Sequence, residues 1–228
     1  MRLLGMDTST RAGSLAAVEG GRVVGSVEVL SALDHSLRLV PAADFLLSRL
    51  GWRVVDVDAI AVTHGPGSFT GLRVGIATAL GLARAAGRTV VGVGTLATLA
   101  RAAGPQPPGT SVCACLDAGR GEVYAAAFAA EAGSTDPGAA PWVTCPGRLR
   151  ELLGTRRVRF VGDGAERYAA LLRAEFGPDA LVGTGPWFLA RHAALIGEEL
   201  LTSGQPLAPV EPLYLRPSDA KPARAPSP

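Results

Sequence analysis

Two short turns, Asp7-Thr8-Ser9-Thr10 near the start of the chain and Asp117-Ala118-Gly119-Arg120-Gly121 near its middle, carry the residue types best suited to chemistry. A nucleotide-binding fold uses such turns to offer backbone N–H groups and hydroxyls to phosphate, while the aspartate holds a hydrated Mg²⁺. Asp7, Thr8, Ser9 and Asp117 are therefore candidate cofactor-binding residues. The competing reading is conformational, because Asp, Ser and Thr also fix turns by bonding the backbone two residues on. A third stretch, His64-Gly65-Pro66-Gly67-Ser68-Phe69-Thr70-Gly71-Leu72-Arg73, delivers the chain through a rigid turn to a helix whose first N–H groups could receive an anion. No Walker A pattern runs through it, and a glycine-rich link of strand to helix is also a tight-packing device.

The rest of the catalytic inventory is thin. His35, His64 and His192 are the only histidines, and none has a second ligand at helical spacing. Ser68 lies in Gly-Pro-Gly-Ser-Phe rather than in a nucleophile elbow. Cys113 and Cys115 alternate on one strand and so share a face, which reads as buried structure rather than reactivity. No catalytic residue and no metal site is expected.

A formal charge of +2 with pI near 8.6 is too mild for a dedicated nucleic-acid binder. Arg148, Arg150, Arg156, Arg157 and Arg159 raise an RNA-binding alternative, against which stands a solvated face. Three cysteines without paired spacing give neither a disulfide framework nor a zinc site. Met1 to Asp7 lacks the apolar run of a signal peptide, and nothing approaches the roughly 18 apolar residues of a membrane span. A soluble cytoplasmic protein with no membrane contact is expected.

The elements that must position these residues follow from periodicity. Leu3–Met6, Ser14–Glu19 and Arg22–Val29 read as strands, with Gly20-Gly21 as a hairpin link. Helix is expected over Ser36–Leu50, ended by Gly51, then strand Asp58–Thr63, helix Leu72–Ala86, strand Thr89–Val93 and helix Thr95–Ala102. Gly104 to Gly109 breaks every pattern and marks a domain boundary. Strands Ser111–Leu116, Glu122–Ala129 and Val158–Val161 follow, with helices Pro146–Leu153, Ala165–Phe176 and Trp187–Thr202. A proline-spaced tail from Gln205 holds one apolar knot, Leu213-Tyr214-Leu215, and residues 217–228 read as disordered.

The helix Leu72–Ala86 carries only Arg73 and Arg84 as charges and so has no polar face, whereas a helix on a sheet normally wets one side. Gly75, Ala79 and Ala83 form a smooth ridge beside Leu72, Ile76 and Leu80. Either another helix of the chain covers this surface or a second subunit does; Phe69, Leu72, Arg73, Gly75, Ile76, Ala79, Leu80 and Ala83 are the candidate partner interface.

Each half of the chain opens with a strand, an Asp-bearing turn and a returning strand. That repetition suggests the α/β architecture of the actin-like, Hsp70 and sugar-kinase group: a lobe over 1–103 and a smaller, degenerate lobe over 110–216, with helix 187–202 available to pack back on the first.

Asp7-Thr8-Ser9-Thr10, His35-Ser36, Val62 through Gly75, Leu116 through Tyr124 and Pro212-Leu213-Tyr214-Leu215-Arg216 together resemble, in order and spacing over nearly the whole chain, the TsaB (YeaZ-type) family. Gly65-Pro66-Gly67-Ser68-Phe69-Thr70-Gly71-Leu72-Arg73 is the most specific piece. The resemblance implies a non-catalytic subunit working beside a TsaD-type catalytic paralogue and a TsaE-type ATPase. That machinery forms N6-threonylcarbamoyladenosine next to the anticodon of tRNAs reading codons that begin with A. It further implies dimerisation through the Leu72–Ala86 helix, as a homodimer alone or preferentially with the paralogue, and contact with tRNA only through the complex. The paralogue's metal-binding histidine pair is matched here by His35 alone, within Asp34 to Leu39. No cofactor of its own is expected, beyond weak ATP or ADP binding with Mg²⁺. The rival reading is a small ATP-dependent phosphotransferase of the same fold; Val161-Gly162-Asp163-Gly164-Ala165 is its faint adenine-site candidate, and a strand-to-helix turn explains that segment equally well.

Overall fold

Residues 1–30, 38–129, 140–154, 157–177 and 180–216 are described by the computed structural model. The opening meander forms where small and β-branched residues alternate between two faces, and Gly20-Gly21, at φ +54° and +74°, closes its hairpin. β1 (Arg2–Asp7), β2 (Ala12–Glu19) and β3 (Arg22–Leu30) are antiparallel neighbours. β4 (Ala59–Gly65) and β5 (Thr89–Gly94) add in parallel beyond β1, giving a five-stranded sheet of order β3-β2-β1-β4-β5.

The second half rebuilds this plan. β6 (Thr110–Gly119), β7 (Glu122–Phe128), β8 (Trp142–Thr144), β9 (Arg157–Val161) and β10 (Leu181–Val182) form a second five-stranded sheet of order β10-β9-β6-β7-β8, the same sequence of pairings and directions. β6 therefore stands where β1 stands, and Asp117 matches Asp7. β8 and β10, three and two residues long, are too short to show alternation and were not expected from the sequence.

α1 (Leu39–Arg49) and α2 (Phe69–Ala86) cover one face of the first sheet, burying Leu4, Met6, Leu15, Ile60 and Val62. Pro41 falls in the first turn of α1, where its missing N–H has no intrahelical partner to lose. Gly51, at φ +68°, follows the helix end as expected. α4 (Leu149–Leu153), α5 (Asp163–Arg167) and α6 (Ala169–Phe176) cover one face of the second sheet, around Cys113, Cys115 and Phe160. The single helix expected over Ala165–Phe176 is thus two, divided at Tyr168.

The remaining faces are covered by exchange. α3 (Thr95–Ala102) follows β5 of the first sheet yet packs on β6 and β7, while α7 (Ala190–Thr202) follows β10 of the second and packs on β1, β2 and β4. α7 lies close because its contact points are minimal: a Cβ on Gly5 would collide with the Ala190 carbonyl, and one on Gly197 would come 2.7 Å from the Ala61 Cβ. α3 and α7 are joined by Arg101, whose two guanidinium nitrogens each reach a Glu199 oxygen at 2.6 Å.

One expectation needs correction. Leu72, Gly75, Ile76, Ala79 and Ala83, assigned to a partner interface, are buried inside the chain, facing β4 and the turn after β1. Gly75 is small because the Thr8 side chain occupies the space its Cβ would need, not because another helix approaches. The exposed stripe of α2 lies opposite, through Phe69, Thr70, Arg73, Ala77, Leu80, Gly81, Arg84 and Ala85. Phe69 is 41% and Leu80 45% exposed, so of the interface residues only Phe69, Arg73 and Leu80 are available to a partner.

Two outcomes follow. Gly75→Arg and Ala79→Glu place a charge in this core and cost more than about 3 kcal/mol, lowering the urea midpoint, whereas Leu80→Glu on the outer stripe stays within about 0.5 kcal/mol. Burial, with the charges of Arg191 and Arg101, also lowers the pKa of His192 on α7 to about 4. The unfolded chain then binds the extra proton between the ordinary histidine value of about 6.5 and that figure, so stability falls as pH drops through this window. His192→Gln flattens that part of the urea-midpoint profile.

Candidate functional site

The turn after β1 is folded onto the start of α2. The Asp7 Oδ1 accepts from the Ser9 N–H at 3.1 Å, the Ser9 hydroxyl at 2.6 Å and the Thr63 hydroxyl of β4 at 2.6 Å. The Thr8 hydroxyl donates to the Gly71 carbonyl at 2.7 Å, and the Ser68 N–H donates to the Ser9 carbonyl at 2.7 Å. Ser68 caps α2 by accepting from the Gly71 N–H at 3.2 Å. Gly67 and Gly71 pass so near the carbonyls of Ser9 and Thr8 that neither has room for a Cβ. Asp7, Thr8 and Ser9 are all buried, at most 1% exposed.

The matching turn in the second lobe repeats the aspartate's role. Asp117 Oδ1 accepts from the Gly119 N–H at 3.1 Å, two residues on, as Asp7 does from Ser9. Its other oxygen accepts from Arg167 of α5 at 3.0 Å, and its own N–H donates to Asp163 at 3.0 Å. Burial pushes the Asp163 carboxyl above its ordinary range; the N–H groups of Asp117 and Gly164 oppose this, while the nearby Asp117 and Glu166 charges add to it. Gly162-Asp163-Gly164, the faint adenine-site candidate, is this strand-to-helix turn, with Gly164 pressed against the Leu116–Asp117 backbone.

Between the lobes lies a cavity of about 360 Å³, walled by Thr10 and Arg11 on one side and Asp163, Glu166 and Trp187 on the other. Its floor is aliphatic, including Leu99, Leu116 and Leu189. Glu166 is held by the Gly185 N–H at 2.5 Å and the Trp187 indole N–H at 2.8 Å. The four candidate cofactor residues do not line it; the Thr8 and Ser9 hydroxyls, the Asp7 Oδ1 and both Asp117 oxygens are bonded within the chain, while the second, buried Asp7 oxygen accepts none of these bonds. The in-chain bonds of Thr8, Ser9 and Asp117 fit such a group poorly, and the bonds from Asp7 to Ser9 and from Asp117 to Gly119, two residues on, are those of the conformational reading.

Other candidates separate. The His64 Nδ1–H donates to the Glu211 carbonyl at 3.1 Å, and burial lowers the His64 pKa against that carbonyl's opposing pull. Cys113 and Cys115 are buried with sulfurs 3.5 Å apart, and the Cys115 thiol is pushed well above its ordinary range by that hydrogen bond and by burial. Among the described residues no three His, Cys, Asp or Glu side chains are grouped to hold a metal. Asp34, His35, Ser36 and Arg156 lie outside the described residues, as does the tail 217–228. Of the arginines raised for RNA, Arg148 pairs with Glu151 and Arg150 stacks on Phe176, while Arg157 and Arg159 lie on β9. No described helix is long and apolar enough to cross a membrane.

What the proline-spaced tail does is visible only in the structure. Residues 205–216 run back over the first lobe: the Leu213 N–H donates to the His64 carbonyl at 2.7 Å, and Tyr214 receives the Arg73 Nε–H at 2.9 Å. Arg73 also sits 3.8 Å above the Phe69 ring, itself 5.1 Å from that of Tyr214. Pro212 through Arg216 was legible as a family signature but not as a contact.

Residues 23–168 match the family model described as TsaD, tRNA N6-adenosine threonylcarbamoyltransferase. The chain is 41% identical over 128 residues to the tRNA threonylcarbamoyladenosine biosynthesis protein TsaB of Escherichia coli K12, a match covering 56% of this chain and 55% of that protein. It thus spans about half the length of the curated relatives it matches. The solved YeaZ of Pseudomonas aeruginosa superposes with a TM-score of 0.76 at 28% identity, covering 94% of this chain and 99% of that one. A ROK hexokinase from Thermus thermophilus, 14% identical, shares the fold at a TM-score of 0.50 over 90% of this chain and all of the other. The duplicated sheets are therefore those of the actin-like and sugar-kinase fold, and the chain belongs to the TsaB/YeaZ family.

Proposed function

We propose that this chain is the non-catalytic partner subunit of the machinery that forms N6-threonylcarbamoyladenosine on tRNA. It binds and supports a TsaD-type catalytic subunit acting at the adenosine next to the anticodon of tRNAs reading codons that begin with A. The observation that carries this reading is the outer stripe of α2. Its inner side is consumed by the chain's own core, yet Phe69, Ala77, Leu80, Gly81 and Ala85 remain exposed with Arg73 and Arg84 as the stripe's only charges. A helix buried on one side and apolar on the other is completed by a second polypeptide.

The charges bear on which polypeptide that is. Two copies meeting through this stripe bring arginines together, whereas a paralogue presenting carboxylates meets complementary charge. The homodimer is accordingly the state adopted alone and the heterodimer the preferred one. A TsaE-type ATPase joins through the complex, and tRNA is met only there. One oxygen of Asp7 and both of Asp117 are engaged by in-chain bonds, which supports at most weak ATP or ADP binding with Mg²⁺ and no turnover by this chain.

Binding measured against the purified TsaD-type subunit of the same organism tests this directly: Leu80→Arg and Ala77→Arg weaken it at least about tenfold while leaving the urea midpoint in place. Raising salt from 50 to 500 mM weakens the heterodimer and strengthens the homodimer, opposite signs from one surface. Calorimetry with ATP and Mg²⁺ shows no site tighter than about 1 mM; robust magnesium-dependent hydrolysis by the pure chain would restore the phosphotransferase reading.

A further inference from the structure

The last described segment touches both lobes. Val210 packs against the core beneath α1 and α2 and lies 3.5 Å from where a Cβ on Gly92 of β5 would sit. Leu213 is then hydrogen-bonded to His64 at the end of β4, with its carbonyl so close to Gly65 that a Cβ there has no room. Tyr214 stacks on the first turn of α2. Arg216, the final described residue, crosses to the second lobe, donating to the Ala118 carbonyl at 3.0 Å and pairing with Glu122 across the β6–β7 turn.

These contacts fall where they limit motion most. The lobes of a two-lobed fold move about the segments that join them, and hinge closure is the common way such folds answer a ligand. Here the covalent joins are the links α3–β6 and β10–α7; the strap adds a non-covalent one from the α2 end of the first sheet to the Asp117 turn of the second. Its three anchors are of different kinds, a backbone bond at Leu213, an aromatic and cationic stack at Tyr214, and a charge-assisted pair at Arg216 that is about one-quarter exposed. Opening the lobes requires the last of these to break.

We propose that residues 210–216 are an intramolecular latch that holds the two lobes at one angle, with Arg216 on Glu122 and Ala118 as its releasable end and Leu213–Tyr214 as its fixed end. The chain is thereby a rigid two-lobed body rather than one that opens and closes around a ligand. This inference stands on the strap's contacts and does not require that the partner reading of α2 be correct.

The test is an interlobe distance measured by paired spin labels on the full chain, one at the exposed Cys145 of the second lobe and one at Ser48→Cys on α1, with Cys113 and Cys115 left buried and unlabelled. With Arg216 intact, and the labelled chain diluted in excess unlabelled chain so that only distances within one chain are read, a single narrow distance is expected. Arg216→Ala and, from the other side of the contact, Glu122→Gln each broaden the distribution and speed amide exchange in the β6–β7 turn roughly threefold to fivefold, while exchange in the cores of both sheets is unchanged. Arg216→Lys restores part of the narrowing. A distribution equally narrow in both variants, or a loss of protection spread through both cores, overturns the latch. Because the measurement is made without any partner, failure of partner binding by the α2 stripe leaves its outcome unaltered.

Discussion

The insertion of the Asp7-Thr8-Ser9 turn into the glycine-lined start of α2 is the contact on which the rest depends. A buried carboxylate oxygen collects three donors from two strands' worth of sequence, the Thr8 hydroxyl closes on Gly71, and Gly67, Gly71 and Gly75 leave the room for both. Buried polar groups are tolerated when they are hydrogen-bonded, and a network of this kind fixes geometry as well as energy. It sets the rotation of α2 about its own axis. Once that rotation is fixed, Leu72, Ile76, Ala79 and Ala83 point to the sheet, and Phe69, Ala77 and Leu80 point away.

The same kind of bond gives both Asp turns a structural part in the fold. The Asp7 Oδ1 is bonded by Ser9 and Thr63, and Asp117 by Gly119 and Arg167. The scaffold retains the duplicated sheets and the exchange of α3 and α7 between lobes, which give it a single continuous body. These turns hold the starts of α2 and α5 to their sheets.

Much of this was legible in the residues, and the exceptions have physical causes. The strands β1 to β7, the helices α1 to α3 and the repeated Asp turns follow from alternation, helical spacing and glycine placement alone. The role of Gly75, Ala79 and Ala83 is not legible in the sequence because small residues at i and i+4 are the same sign whether a helix or a strand-and-turn approaches; only the Thr8 side chain, 67 positions away from Gly75 in sequence, distinguishes the two. Helices hydrophobic all round tell the reader that both sides are to be covered, not by what. Tyr214 and Arg216 lie in a segment with no periodicity, and their partners Arg73 and Glu122 are 141 and 94 residues distant, so no local pattern could announce them.

The central claim is that a second polypeptide reads the outer stripe of α2 while the inner stripe stays in the core. A photo-reactive phenylalanine analogue placed at position 77 or 80, and as a reference at Arg150 on α4, would report this in the assembled complex with the TsaD-type subunit. The account predicts a covalent adduct with that subunit from positions 77 and 80 and none from position 150. An adduct from position 150 with silence at 77 and 80, in a complex shown to be intact, would contradict it.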